Sequence, residues 1–422
     1  MKQITIEKSF LPDQAGTYLE LPFEMPDYVE RLEVSYKVFN KQAVVDLGLI
    51  DPDRLRGWSG GARDGFYIEY NHATPGYLAG ELPCGNWAVL LGLYKIPADG
   101  CEVEVTVHMI PQSKKWLKGD LHTHTVHSDG KYILEDVVSI AAERDLDFIA
   151  LTDHNTISQN VSYPRNTDVL FIPGLELTTN TGHCNVLGVK DPGIDFRYDS
   201  NIELEKGLRQ AKEKGAKISL NHPHCSHCPW EWSFDMPYDW VEVWNGPWRA
   251  GNQRTLDWWN EQLLLGKKII AIGGSDVHRP DPFVQHGMPT TWVFSDQKKI
   301  ESILHAIDKG HVFMSFSPLG PTVDMKYGEY IIGDTATIKC HTQLVIQLRN
   351  LSKYDIVKII SDKGIELDKK VLAEDSLVET VSISTQRFVR VEVWRYFDEI
   401  KEHSLALLSN PIYFIENEIN ES

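Results

Sequence analysis

The sequence predicts a mixed α/β fold, with a central region of alternating strands and helices flanked by two all-β regions. Three observations carry that prediction. Between Trp116 and Phe316, four helical apolar periods are each followed by a short buried strand, the pattern of βα units. On either side of this stretch the apolar residues alternate, or cluster in short runs broken by turn residues. Within it, His, Asp and Glu gather just after the strands, the end where βα barrels place their active sites. The expected domains are 1–114, 115–316 and 317–422.

Residues 1–114 read as a β-sandwich. Leu32, Val34, Tyr36 and Val38 alternate on one face, and Ala43–Leu49, Phe66–Tyr70, Ala88–Tyr94 and Cys101–Met109 are further expected strands. Turn residues separate them at Pro12-Asp13-Gln14, Asp51-Pro52-Asp53, Ser59-Gly60-Gly61 and Pro83-Cys84-Gly85. Such strands bury their apolar faces by stacking two sheets. Tyr67, Tyr77 and Trp87 are the expected core aromatics.

In the central region, Ile133–Arg144 carries Ile133, Leu134, Val137, Val138, Ile140 and Ala141 at helical spacing and runs into the strand Asp147–Thr152. Helices at Glu203–Lys214, Asn252–Leu265 and Gln297–Lys309 each stop at a glycine (Gly215, Gly266, Gly310), a C-terminal stop signal. The strands Ala216–Leu220, Lys268–Ile272 and His311–Met314 follow. This repetition implies right-handed βα crossovers and a parallel sheet, open or closed into a barrel. Beyond Ser317, Thr337–Cys340, Leu344–Leu348, Tyr354–Ser361 and Phe388–Trp394 are expected strands of a small β domain, closed by Ser409–Phe414. No chemistry is legible there, and it reads as scaffold.

Composition narrows the partners. The chain has 42 Lys and Arg against 60 Asp and Glu, a net charge of −18, which repels polyphosphate and argues against duplex nucleic acid. Small anions remain possible substrates, because bound cations invert the field locally. No apolar run reaches the roughly 18 residues of a membrane span. Met1–Lys8 alternates like a strand and lacks the apolar core of a signal peptide, so the expected location is the cytoplasm. There the six cysteines (Cys84, Cys101, Cys184, Cys225, Cys228, Cys340) are expected to be reduced. Only Cys225-Ser226-His227-Cys228 is close-spaced, and without a second ligand pair it reads as a loop staple or two buried thiols. Oligomeric state is not legible.

The chemistry gathers at the strand ends. Gly119–Gly130 reads as a buried strand running into a loop, and its alternation turns His122 and His124 to one side. Leu151-Thr152-Asp153-His154, Gly174-Leu175-Glu176, Gly182-His183, Asn221-His222-Pro223-His224 and Gly274-Ser275-Asp276-Val277-His278 repeat the pattern. Nitrogen and carboxylate donors of this kind suit zinc, manganese or iron.

The ordered set HxH, SDG, TDHN, GxE, GH, NHP and GGSDxH resembles the PHP (polymerase and histidinol phosphatase) superfamily of metallohydrolases. Gly57–Gly61, Ala73–Tyr77, Cys225–Trp230 and Glu242–Trp248 look like its carbaryl-hydrolase-like branch. The resemblance implies a distorted (β/α)7 PHP barrel flanked by the N-terminal β-sandwich and the small C-terminal β domain. It implies a multinuclear site of two or three divalent ions (Zn, Mn or Fe). His122, His124, Glu176 and Asp276 would hold the first, and Glu176 with His183 and His222 the second. Asp129, His154 and His278 would hold the third. His127 is expected beside Asp129 without ligating, and Asp120 and Asp153 to orient the neighbouring imidazoles.

The expected function is a divalent-metal-dependent hydrolase using a metal-bridging hydroxide, a phosphoesterase on a small phosphorylated substrate. Glu176 and Asp276 are the expected catalytic carboxylates, His224 (or His227) a proton donor, and Arg249 or Arg279 a phosphate clamp. An alternative is hydrolysis of a carbamate, carboxyl ester or amide of an aryl substrate, with Trp230, Trp232, Trp244 and Trp248 lining an apolar pocket. A second alternative is a metal-containing binding protein without catalysis.

Overall fold

The structure is a computed structural model and describes residues 2–164, 167–339, 342–373 and 375–416. Cys340, at the end of one expected strand, lies outside the described residues. The chain forms two compact units. One is Met1–Lys114 with Arg165–Asp168, and the other is Lys115–Pro164 with Val169–Ser422.

The smaller unit is built from two four-stranded antiparallel sheets. The first runs in the order Lys2–Phe10, Cys101–Pro111, Val29–Val38, Gly65–Glu69, and the second Tyr18–Met25, Gly85–Lys95, Val44–Ile50, Leu55–Gly60. Alternation decides what is inside: Val103, Val105 and Val107 are at most 1% exposed while the residues between them face outward. Inward residues of both sheets, among them Leu32, Val34, Leu47 and Leu91, share one apolar core. Tyr77 and Trp87 are buried in it. Tyr67 is not a core residue. Phe66 and Ile68 take the inward positions, so Tyr67 between them turns out and lies half-buried under the Arg31 guanidinium, 3.9 Å from its ring centre.

Elements of the larger unit are numbered from its start: β1 (Lys115–Thr123), α1 (Leu134–Glu143), β2 (Phe148–Leu151), β3 (Leu170–Thr179), β4 (Gly182–Leu187), α2 (Asn201–Glu213), β5 (Lys217–Leu220), β6 (Trp240–Asn245), α3 (Ala250–Leu264), β7 (Ile270–Gly274), β8 (Thr290–Ser295), α4 (Ile300–Asp308) and β9 (Val312–Ser315). It is mixed α/β, mostly sheet with few helices. The helices end as their sequences require. Gly215, Gly266 and Gly310 take φ values of +95°, +85° and +72°, the left-handed turn that glycine enters without steric cost.

The sheet order is β7-β6-β5-β4-β3-β2-β1-β8-β9. β1, β2 and β3 are mutually parallel, as are β5, β6 and β7, but β4 runs antiparallel to both neighbours. The all-parallel expectation fails there because β3 turns back through Asn180-Thr181, too short a connection for a crossover helix. The ladder is not closed into a barrel. β1 and the chain just past β7 meet at the single bridge Thr123↔Val277. Beyond β9 the sheet continues: β9 pairs with Glu402–Ser409, and Phe388–Phe397 and Ile356–Ser361 follow. Phe313 of β9 accordingly shares one apolar cluster with Val323, Ile346, Val391 and Leu407. No helix among the described residues is long and apolar enough to cross a membrane.

Candidate metal centre

Six of the strands β1–β7 end at one edge of the sheet, and the reversed β4 begins there. That single fact gathers the candidate ligands. His122 lies at the end of β1 with His124 just past it, His154 follows β2, Glu176 lies near the end of β3, and His183 is the second residue of β4. His222 follows β5, and Asp276 and His278 follow β7. Two expectations of position change: His183 sits at a strand's start and Glu176 inside its strand. Both still reach the common edge, His183 because the hairpin turns β4 round.

Glu176 is the hub. Its Oε1 lies 3.4 Å from His122 Nε2, 3.2 Å from His183 Nδ1 and 3.4 Å from His222 Nε2. Its Oε2 lies 3.6 Å from His124 Nε2 and 2.7 Å from His154 Nδ1. Asp276 Oδ1 stands 3.4 Å from His122 Nε2 and 3.1 Å from His124 Nε2. Asp129 Oδ1 lies 3.6 Å from His154 Nε2 and 3.4 Å from His278 Nε2. Donor atoms so placed fall into three groups: His122, His124 and Asp276; His183, His222 and Cys228; and His124, Asp129, His154 and His278.

Burial makes these charges consequential. It opposes protonation of His122, but Asp276, Glu242 and Glu176 outweigh it and hold the imidazole pKa well above its ordinary value. It favours the neutral acid at Glu176, yet His122, His154 and His183 hold that carboxyl well below the ordinary range. At His124 burial wins and the pKa falls.

The donor set fits divalent transition metals. His122 Nε2 and His124 Nδ1 are buried without a hydrogen-bond partner among the described residues, a costly state for polar atoms unless a cation satisfies them. Donor atoms about 2.1 Å from a tetrahedral metal stand roughly 3.4 Å apart, and the separations of His122, His183 and His222 from Glu176 Oε1, and of His122 and His124 from Asp276 Oδ1, are 3.1–3.4 Å. His222 (φ 31°) and Asp276 (φ 53°) hold left-handed backbone, a strained state for residues with side chains that tends to persist where function demands it.

Several supporting residues differ from expectation. Asp120 does not orient an imidazole: Oδ1 accepts from the Ser275 and His122 amides (3.0 and 3.2 Å) and Oδ2 from the Gly287 amide (2.7 Å). Burial raises its pKa to about 6. Asp153 instead braces the loop after β1, accepting from Thr125 N and Ser128 Oγ at 2.8 Å. The imidazole partners are Glu242, 2.9 Å from His122 Nδ1, the Asp276 carbonyl, 2.9 Å from His278 Nδ1, and Thr178 Oγ1, 2.6 Å from His154 Nδ1. His127 Nδ1 meets Ser158 Oγ at 2.8 Å and lies outside the three groups, where Asp129 stands instead.

His224 packs beside the rings of Phe234 and Trp258, with Nδ1 3.2 Å from Thr255 Oγ1; burial, then Arg254, lowers its pKa. Arg249 and Arg279 are exposed, and both lower the pKa of Asp281 after the backbone amides of Phe283 and Val284. Trp230 and Trp244 are core residues, and Trp248 packs edge-on to Trp244 and Trp394.

Glu242, Asn221 and Cys228 were not anticipated. Asn221 Nδ2 donates to Glu176 Oε1 at 2.9 Å. Glu242 had a signal: it is an acid inside the otherwise apolar run Trp240-Val241-Glu242-Val243-Trp244, and carboxylates are almost never fully buried unpaired. Gly274 leaves room for its contact, since a Cβ there would come within 2.3 Å of His122 Cβ and 2.8 Å of Glu242 Oε1. Glu242→Gln is expected to weaken metal binding at the His122 position by about ten- to a hundred-fold. A chelator-competition titration measures this, and an unchanged affinity would remove Glu242 from the role.

No family model matches the chain. A stretch of 151 residues is 26% identical to an uncharacterized protein of Methanocaldococcus jannaschii, covering 32% of this chain and 85% of that protein. Similar solved structures include a two-domain protein from Bacteroides vulgatus containing a predicted PHP-like metal-dependent phosphoesterase (TM-score 0.42, 19% identity, 67% of this chain and 91% of that one). Another is an amidohydrolase from Chromobacterium violaceum with bound sulfate and no metal (TM-score 0.29, 15% identity, 47% of this chain and 97% of that one).

Proposed function

We propose that the chain is a divalent-metal-dependent hydrolase of the PHP type, carbaryl-hydrolase-like branch, acting on a small phosphorylated substrate. The observation that carries this reading is Glu176, whose one carboxylate lies within 3.4 Å of His122, His183 and His222, as a residue shared by two cation positions must. On this reading β1–β7, although their ladder is open, correspond to the strands of a distorted (β/α)7 barrel, and 1–114, 115–316 and 317–422 are the three domains of the chain.

His122, His124, Glu176 and Asp276 would hold one ion, Glu176, His183 and His222 a second, and Asp129, His154 and His278 a third, each Zn, Mn or Fe. When bound, such ions supply Lewis acidity toward a phosphoryl or acyl oxygen and make water a stronger acid. The chain's own groups do the rest. Glu242 and the Asp276 carbonyl fix the His122 and His278 rings through Nδ1, so Nε2 of each points inward. The exposed guanidinium of Arg249, with Arg279 near the same carboxylate, offers paired donors to a phosphate.

The test is a panel of phosphomonoesters, phosphodiesters and aryl carbamates on metal-loaded protein. Turnover of phosphate esters with competitive inhibition by inorganic phosphate is expected. Arg249→Met should raise KM about ten-fold, equivalent to roughly 1.4 kcal/mol. Turnover of aryl carbamates alone, insensitive to phosphate and to Arg249, would replace this reading with acyl hydrolysis. Metal binding without turnover of any of them would favour a binding protein.

A further inference from the structure

Two histidines of the centre share one arrangement, whereas His154 and His183 turn Nδ1 to Glu176. His122 directs Nε2 to Glu176 and Asp276 and Nδ1 to Glu242; His278 directs Nε2 to Asp129 and Nδ1 to the Asp276 carbonyl. His222 follows the same plan, with Nε2 3.4 Å from Glu176 Oε1. Its Nδ1, however, faces neither carboxylate nor carbonyl. The atom there is Cys228 Sγ, at 3.7 Å. Cys228 is in turn 3.5 Å from Cys225 Sγ, which accepts the His227 amide at 3.4 Å.

We infer that Cys228 is a positioning residue whose sulfur accepts the Nδ1 proton of His222 and so holds Nε2 toward the Glu176–His183 position. The hydrogen-bond chain is complete. His222 Nδ1–H donates to Cys228 Sγ, the Cys228 S–H donates to Cys225 Sγ, and the His227 N–H donates to the same Cys225 sulfur. The competing role is direct ligation: the Cys228 sulfur lies within 4.8 Å of donor atoms of His183 and His222, but it faces His222 Nδ1, the ring atom turned away from Glu176. The close-spaced cysteines of the loop after β5 thereby gain a function at the metal centre, where their sequence suggested a loop staple or two buried thiols. The inference rests on the proposed metal reading.

Ligand position and packing make opposite demands on two replacements of similar size. Cys228→Ser keeps an oxygen that accepts from Nδ1, whereas Cys228→Val keeps bulk and loses the acceptor. Cobalt(II) titration of the full-length protein is the measurement, read by absorption and by competition with a chelator. The parent is expected to bind at least two ions with no thiolate-to-cobalt charge-transfer band. Cys228→Val should weaken one of those ions about ten- to a hundred-fold, and Cys228→Ser should recover most of that loss. A charge-transfer band abolished by either substitution would make Cys228 a ligand and overturn the inference. So would Cys228→Val binding like the parent, or Cys228→Ser being the worse of the two. Thermal unfolding of the metal-free variants separates a folding failure from a binding one: a weakened ion in a variant that melts well below the parent would count against positioning. A parent that binds no cobalt would instead sink the metal reading itself.

Discussion

Glu176→Gln is expected to reduce kcat/KM on any accepted substrate by about a thousand-fold or more. The substitution keeps the shape of the side chain, and an amide oxygen can still accept from Asn221 Nδ2, now 2.9 Å from Oε1. It removes the negative charge that five imidazoles (His122, His124, His154, His183 and His222) face within 3.6 Å. On the proposed reading two cation positions share that charge, and losing it would cost several kcal/mol of transition-state stabilisation, where about 1.4 kcal/mol is a decade in rate. Asp129→Asn is the control. Asp129 is exposed and pairs with one of those five, His154, and with His278, so its loss should be the smaller one. Turnover at saturating metal decides it, and the reverse ranking would overturn the placement of Glu176 at the hub.

In the smaller unit, Arg56→Met is expected to cost roughly 3–5 kcal/mol of stability, the range for removing one partner of a buried ion pair. Arg56 and Asp51 are 1% and 6% exposed and 3.0 Å apart. Arg56 also donates to the Leu78, Gly80 and Glu81 carbonyls, which methionine would leave without that donor. Burial opposes the charge on Asp51, but the Asp53 and Arg54 amides and Arg56 together hold its pKa below the ordinary value. Its contribution is therefore present above the unfolded-state pKa of about 4, and is lost as the pH falls through the lower folded value. Urea unfolding at neutral pH measures the loss; a change below about 1 kcal/mol would show that the pair is replaceable.

What the sequence disclosed and what it hid divide along physical lines. The helices α1–α4 were legible because a 3.6-residue apolar period and a terminal glycine are local signals. The pair His122 and His124 was legible because alternation alone puts them on one side of β1. The reversal of β4 is hidden because Gly182-His183 looks like one more strand end carrying a ligand, whereas it opens a strand that runs back along β3. Glu242 was hidden because its partner, His122, is 120 residues away in sequence. Asp153 was misassigned for a related reason: its neighbour in sequence is His154, but adjacent side chains diverge, and its carboxylate turns to Thr125 and Ser128. The continuation of the central sheet into the C-terminal strands depends on β9 pairing with Glu402–Ser409, a contact no local pattern announces.

Metal analysis of the full-length protein tests the centre most directly. Ligand histidines and carboxylates must shed protons to bind a cation, so reloading belongs at neutral or slightly alkaline pH, after purification free of chelators. Two or three Zn, Mn or Fe ions per chain are expected, with Glu176→Gln retaining fewer. Less than one ion per chain in the reloaded parent would contradict a metal centre at these residues.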